Sequence, residues 1–505
     1  MKLIFHIAIH EIKVLYRNFF LLGSVLAILI TALPAALVLI EIQEEERGRF
    51  LHDRLALTDQ VSRLPGLARF PLVVSVPPPP LSFLNRGITD QVSLQVSFSR
   101  LDPPRMQPRR EDGSWLGYFF PPFDMATLCA IFFSLVPFLF AYGCFSREKE
   151  SGTLKIVMSN SLPMWKLIAG KLAGLSIALA APLATMLLVS LGVLLSSPAI
   201  RSAMQTSDWV GFWFFFAAVA AYGLIHLQIA MLASLVTHKP ANTLFVLLTF
   251  WMASMVLVPS LGLEAAGWAA PSPPNGVLAQ NERLLHADLL LEYSALIKQA
   301  TGATFVFRRQ DVEKPGRRYF LFRHDNWQFH LTREGEFWLD RADAALQGRM
   351  KSGLPDMLKR QNRIVNELRS LYQDRRQRMI EQIRFTRAAA LLSPSALLST
   401  VTAEGIGSGA GAVSGFHAWL QETAYRFYTR LTESPYFLSD KFFLRLGEEE
   451  RIEPSLIPNL ELFDRARTGL GPDRVALTLG IGYLAFLMLL LFFATFVLGS
   501  RYDPR

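Results

Sequence analysis

Cysteine is almost missing from this chain: its 505 residues include two, Cys129 and Cys144. Both fall in one apolar run, where a helix would set them about 22 Å apart, far beyond the reach of a disulfide. The remainder therefore folds by packing alone, and both thiols read as small apolar side chains. Other absences narrow the chemistry. No Gly-x-x-x-x-Gly-Lys-Ser/Thr run is present, so nothing here should hydrolyse ATP unaided. Ser408 and Ser414 do not sit in Gly-x-Ser-x-Gly, which removes a nucleophile elbow. There is no His-Glu-x-x-His and no zinc-type Cys/His cluster, and His6 with His10 lacks a third ligand nearby, so no metal site is expected. Gly405–Gly411 imitates a dinucleotide loop, but no apolar strand precedes it, and a flexible hinge is the expectation. His324 and Asp325 come nearest to an acid–base pair and read as a surface pair. The chain is not expected to be an enzyme.

Charge makes up 18% of the chain, yet it is nearly missing from six stretches: Phe19–Ile42, Phe123–Phe145, Leu172–Leu195, Trp209–Val236, Asn242–Leu263 and Val475–Gly499. Each meets the roughly 20 apolar residues that a helix needs to cross about 30 Å of hydrocarbon. The first is too long for a signal-peptide core and no small-residue cleavage motif follows it, so it reads as a retained span ended by Glu41 and the Glu44–Arg49 run. The fold class expected is an α-helical polytopic membrane protein: six transmembrane helices, an amino-terminal interfacial helix, and mixed α+β extracytoplasmic insertions.

Basic residues in short connections set the orientation. With both termini cytoplasmic, Lys2, Lys13, Arg17, Arg147, Lys149, Lys155, Lys166, Lys171, Lys239, Arg501 and Arg505 lie inside. The short outer loop Ser196–Asp208 then carries only Arg201. The long segments 43–122 and 264–474 fall outside the cytoplasm.

Residues 1–18 read as a helix at the headgroup level, its Lys2, His6, His10, Lys13 and Arg17 forming one basic stripe towards lipid phosphates. In segment 43–122, Gln91–Phe98 alternates strictly and predicts a half-buried strand. Pro77–Pro80 is a stiff break, and Pro103-Pro104 and Pro121-Pro122 mark boundaries. In segment 264–474, Pro271–Asn275 is a stop signal, Leu284–Ala300 is helical in character, and 316–340 reads as short strands. Residues 355–390 predict a long basic helix, read as a solvated face; its position outside the cytoplasm argues against nucleic acid.

Polar groups inside spans draw functional suspicion. His226 and Gln228 interrupt the fourth span, and hydrogen bonding between helices is the expected role for His226. Pro34, Pro137, Pro182 and Pro259 are expected to kink their helices, as suits a bundle that rocks.

The strongest signal is the charged connection Arg147–Lys155, which continues through Ser159 and Pro163 to Lys171. Its length leaves room for a short helix along the membrane face, a handle for a soluble partner. Glu148 and Glu150 can meet basic groups on that partner, and Lys149, Lys155 and Lys166 can meet acids or headgroups. Gly152 permits a tight change of direction, Thr153 can cap the next turn, and Leu154, Ile156 and Val157 supply an apolar face. The run Glu148-Lys-Glu-x-Gly-Thr-Leu154 closely resembles the signature of ABC type-2 permeases, in which it ends the second span and begins the region docked on the ATPase. Asn160–Lys166 stands where that family usually shows Asn-Pro-Val-Ser-Arg, with proline displaced to Pro163 and Trp165 near the usual basic position. A large insert between the fifth and sixth spans, with a helix leading to Leu392–Leu398, looks like one subgroup of the family.

The resemblance implies a permease subunit in the plasma (inner) membrane of a prokaryote, moved by a separate ATP-binding cassette ATPase that binds the ATP, so that this chain needs no cofactor of its own. It also implies a second permease chain, identical or different. The ATPase-facing residues implied are Glu148, Lys149, Glu150, Gly152, Thr153, Leu154, Ser159 and Pro163. Export of cargo is the leading expectation. The alternative is an ATPase-coupled mechanical or scaffold component of an envelope complex, acting through its extracytoplasmic domain without transport.

Overall fold

The computed structural model of the chain describes residues 2–63, 72–75, 78–87, 95–98, 105–106, 124–159, 163–271, 306–308, 319–324, 327–332, 337–340, 344–412 and 474–500, with isolated residues within 277–299 and 414–422. Among them, six helices are long and apolar enough to cross a membrane. They are α2 (Phe20–Arg63), α3 (Met125–Ala141) continuing into the short α4 (Ser146–Glu150), α6 (Met164–Ser196), α8 (Thr206–Val236), the composite fifth span, and α13 (Arg474–Ser500). Between them lie α1 (Lys2–Arg17), α5 (Thr153–Ser159) and α7 (Pro198–Ala203).

The charged Glu44–Arg49 run does not end the first helix: α2 continues to Arg63. Charge stops a helix from staying in lipid but not from staying helical, and Arg49 pairs with Glu45 one turn back at 2.5 Å. The third membrane helix likewise begins at Met164, so Trp165, Lys166 and Lys171 lie on it and not in the connection before it. The fifth span is α9 (Pro240–Met252), a π-helical turn (Ala253–Leu257) and α10 (Val258–Ala269). Pro259 stands two residues past the last residue of that turn, with Val258 between, so the regular ladder breaks just before the proline.

The core lies where α3, α6 and α8 meet, filled by Phe133, Phe138, Phe212, Phe215 and Tyr222. Tyr222 donates its hydroxyl to the Ala130 carbonyl at 3.0 Å, and Trp251 donates its indole N–H to Ser134 at 2.9 Å, tying α8 and α9 to α3. The amino-terminal helix packs tightly on α6. A Cβ on Gly174 would stand 2.6 Å from the Ala8 carbonyl oxygen, and one on Gly170 2.7 Å from Ile7 Cβ. Those two glycines let the helices meet backbone to backbone.

At the other end of the bundle the chain re-enters. Helix α11 (Ala344–Ala390) comes back beside α10, with Gln382 donating to the Ala270 carbonyl at 2.7 Å and Ala389 against Gly262. One side of the last turns is therefore packed, while Arg378, Glu381 and Arg384 on this basic helix stay exposed. The chain turns at 391–393, and α12 (Pro394–Ile406) packs against α8, α13 and the start of α3. Leu397 and Val401 meet Ile225 and Leu484 in a small cluster. Ser393 caps α12 by accepting from Ala396 N–H at 3.2 Å.

The Gly405–Gly411 run is not a flexible hinge. Gly407 terminates α12 in the left-handed conformation (φ 78°). Gly405 faces the Phe214 ring so closely that a Cβ would lie 2.4 Å from it, and Ser408 is fully buried. Asn85 holds the segment from below, donating to the Ser399 carbonyl (2.9 Å) and Thr402 hydroxyl (2.7 Å), while Ser408 donates to the Asn85 carbonyl (2.8 Å).

Among the described residues there are two antiparallel sheets. One has order β1 (Leu72–Ser75), β2 (Gln95–Phe98), β3 (Arg105–Met106), with Leu72 opposite Phe98. The other is the meander β4 (Val306–Arg308), β5 (Tyr319–His324), β6 (Trp327–Thr332), β7 (Phe337–Asp340), with Phe322 opposite Phe329. His324 and Trp327 face each other at the β5–β6 turn. Residues 91–94 of the expected strand, Asp325, the Pro103-Pro104 and Pro121-Pro122 boundaries and the Asn160–Leu162 stretch lie outside the described residues.

Candidate functional site

The connection after α3 is built as two short helices on a pinned base. Ser234 of α8 accepts from the backbone N–H groups of Phe145 and Ser146, both at 2.9 Å, and so fixes the start of α4. Lys149 reaches the far end of α8, donating to the carbonyls of Leu235 and Thr237 (3.2 Å to the latter). Carbonyls at a helix carboxyl terminus lack intrahelical donors and carry partial negative charge, so an ammonium belongs there.

Gly152 then reverses the chain at φ +73°, a conformation that costs an L side chain about 1–2 kcal/mol. Nothing lies within 4 Å of where its Cβ would be, so conformation, not space, requires glycine. Thr153 donates to the Glu148 carbonyl at 3.3 Å and its hydroxyl meets that of Ser151 at 2.9 Å, closing the turn. Leu154 is fully buried beneath α5.

The surface left over is small and mixed. Glu150, Thr153, Lys155, Ile156 and Ser159 are exposed, with Ile156 at 65%. Ser159 donates to its own helix at Ile156 (2.7 Å), and Pro163 opens α6 from an exposed position. Trp165 is exposed beside the Lys166 ammonium, which sits 5.6 Å from its ring centre.

The eight residues expected to face a partner thus divide. Glu150, Thr153, Ser159 and Pro163 are on the surface, and Gly152 shapes it. Leu154 is interior, so it supports α5 and contributes nothing to an apolar docking face. Glu148 and Lys149 turn inward, because each meets a buried group of opposite charge or dipole that water cannot serve. Glu148 Oε1 accepts from Lys171 Nζ at 2.7 Å, and the same ammonium donates to Glu11 of α1 at 2.6 Å. Lys171 is 3% exposed. Glu11 and Ser234 escaped the sequence reading, and Lys171 figured there only as a loop cation. A lysine so deep on a membrane helix demands partners, which was the available signal.

Of the two polar residues of the fourth span, His226 does not make the bond to another helix that was expected of it. His226 is fully buried, but its Nδ1 lies 2.9 Å from the Tyr222 carbonyl of its own helix, not a neighbouring one. Its ring packs among Tyr222, Phe138 and Phe250. Gln228 is also buried, and neither His226 Nε2 nor Gln228 Oε1 has a partner among the described residues. No group of three or more metal-ligating side chains is present among the described residues.

Six apolar helices around a buried aromatic core, with a pinned charged connection at one end, define a multi-pass helical membrane protein. Residues 6–321, more than half of the chain, match the family described as ABC-2 family transporter protein. The chain belongs to that family. No curated protein and no solved structure matches it.

Proposed function

We propose that the chain is the membrane-spanning permease subunit of an ATP-binding cassette exporter, and that the α4–α5 connection is its dock for a separate nucleotide-binding subunit. One observation carries this reading: Glu150, Thr153, Lys155 and Ile156 form an exposed charged and apolar face on a base held by buried and part-buried bonds to α6 and α8. A face so anchored passes a push to the spans instead of absorbing it. ATP binds and is split in the partner. A conformational shift follows only if closed and open ATPase dimers bind the two states of the bundle with different affinity. Two permease chains complete the assembly in the plasma membrane, with α1, the α4–α5 connection and both termini on the cytoplasmic side and lipid against the long apolar faces of α9 and α13.

At the opposite end of the bundle α12 packs on α3, α8 and α13, held by Asn85 and by Ser393 and Ser395. Co-purification with an ATP-binding cassette ATPase, followed by reconstitution into vesicles, tests the proposal. Ile156→Asp with Lys155→Glu should abolish assembly or uncouple hydrolysis from cargo movement. Full assembly, hydrolysis and transport in that variant would overturn the dock. Stimulation of the ATPase only by an extracytoplasmic protein, without cargo movement, would support a mechanical device instead.

A further inference from the structure

We propose that the stroke delivered to the α4–α5 connection is passed on to α1 through Lys171, a positioning residue bridging Glu148 and Glu11. The inference rests on the reading of that connection as the ATPase dock. Three elements meet at one ammonium: Glu148 belongs to α4, Lys171 to α6 and Glu11 to α1. The bonds are 2.7 and 2.6 Å long and the ammonium is buried, so water does not substitute for either carboxylate.

Burial makes the arrangement switch-like. Losing the ammonium leaves two carboxylates facing each other with no cation between them, so Lys171 is what lets the three elements hold position together. The same ammonium stands 5.6 Å from the Phe145 ring centre, at the hinge where α3 gives way to α4. Close packing supplies the second link: Gly170 and Gly174 bring the α1 backbone against α6 at the same level, so α1 cannot slide without moving α6. A tilt of α4 therefore pulls on Glu148, Lys171 and Glu11 in turn. Exposed Phe5 and Tyr16 place the other side of α1 in the headgroup layer, where its movement disturbs lipid at the cytoplasmic mouth.

The test uses spin labels on the full chain in lipid nanodiscs, with Cys129→Ala and Cys144→Ala as background. Labels at Phe5→Cys and Trp165→Cys read the position of α1 on α6, without the ATPase. Labels at Phe5→Cys and Phe245→Cys, in the assembled complex, read whether α1 shifts when ATP and vanadate lock the partner. The unsubstituted site should give one narrow distance for the first pair and a nucleotide-dependent shift for the second. Lys171→Met should broaden the first and lose the second, while Lys171→Arg, which keeps a cation with donors for both carboxylates, should keep both. A narrow first distance in Lys171→Met, a surviving shift in that variant, or loss of both readouts in Lys171→Arg would overturn the tether. Failure of the unsubstituted chain to assemble with any ATPase would instead remove the dock, while the first distance would still report on the ammonium bridge.

Discussion

Ser393 donates its hydroxyl to the backbone carbonyl of Ser254 at 2.5 Å, and Ser395 donates to the same oxygen at 3.0 Å. The reason lies in the π-helical turn. Val258 N–H bonds to Ala253, five residues back, and the next residue is Pro259, which has no N–H to give Ser254. A carbonyl orphaned in this way inside a membrane must find another donor. The turn into α12 supplies two.

Removing both hydroxyls should therefore cost more than one ordinary hydrogen bond of about 0.5–1.5 kcal/mol. Ser393→Ala with Ser395→Ala should destabilise the detergent-solubilised protein by about 1–3 kcal/mol, the penalty of an unsatisfied buried acceptor. Pro259→Ala returns a backbone donor to the fifth span. Thermal unfolding of all four combinations should show the serine substitutions costing less in the Pro259→Ala background; equal cost in both would detach the serines from the π turn.

Gly405 tests how firmly α12 is seated. A methyl group there would meet the Phe214 ring at 2.4 Å, so Gly405→Ala should cost about 1–3 kcal/mol by overpacking. Phe214→Leu should relieve part of that loss. An unchanged melting temperature in Gly405→Ala alone would mean that the contact gives way freely.

At Gly152 the prediction is opposite in kind. No neighbour opposes a side chain, so Gly152→Ala should cost only the backbone penalty of about 1–2 kcal/mol, and Gly152→Asn less, since asparagine tolerates the left-handed region. Because the strain falls on the turn between α4 and α5, Gly152→Ala should weaken ATPase assembly before it lowers global stability. Binding and melting measured on the same preparations separate the two effects.

Lys149 caps the carboxyl end of α8, and Lys149→Met leaves the Leu235 and Thr237 carbonyls without it. Hydrogen exchange should quicken over the last turn of α8 and over α4, with the α12 end unchanged. Exchange confined to α4 would show that the lysine serves the connection alone.

Much of this architecture was legible because lipid imposes a simple rule on sequence. Six runs of about 20 apolar residues can do little but span, and the glycine within Glu148–Leu154 marks the turn found at Gly152. What stayed hidden depends on contacts between distant positions. Glu11 and Lys171 belong to different elements, and only folding shows that Lys171 is shared with Glu148. Leu154 is apolar whether it docks a partner or fills a core, so its burial was not readable locally. The glycines near 405 look flexible in isolation, yet Phe214, from a helix far away in sequence, fills the space their missing side chains leave. The carboxylates on Glu148 and Glu150 look alike on paper; one faces Lys171 and the other faces solvent.

In the proposed assembly a separate ATPase grips the exposed side of α5. A photo-crosslinking amino acid at position 156, in cells expressing the full chain, should capture it. The expected result is a single dominant adduct containing a nucleotide-binding subunit, lost when the crosslinker is moved to buried Leu154. An adduct with an extracytoplasmic protein, or labelling of position 156 by a membrane-impermeant reagent added from outside, would contradict it.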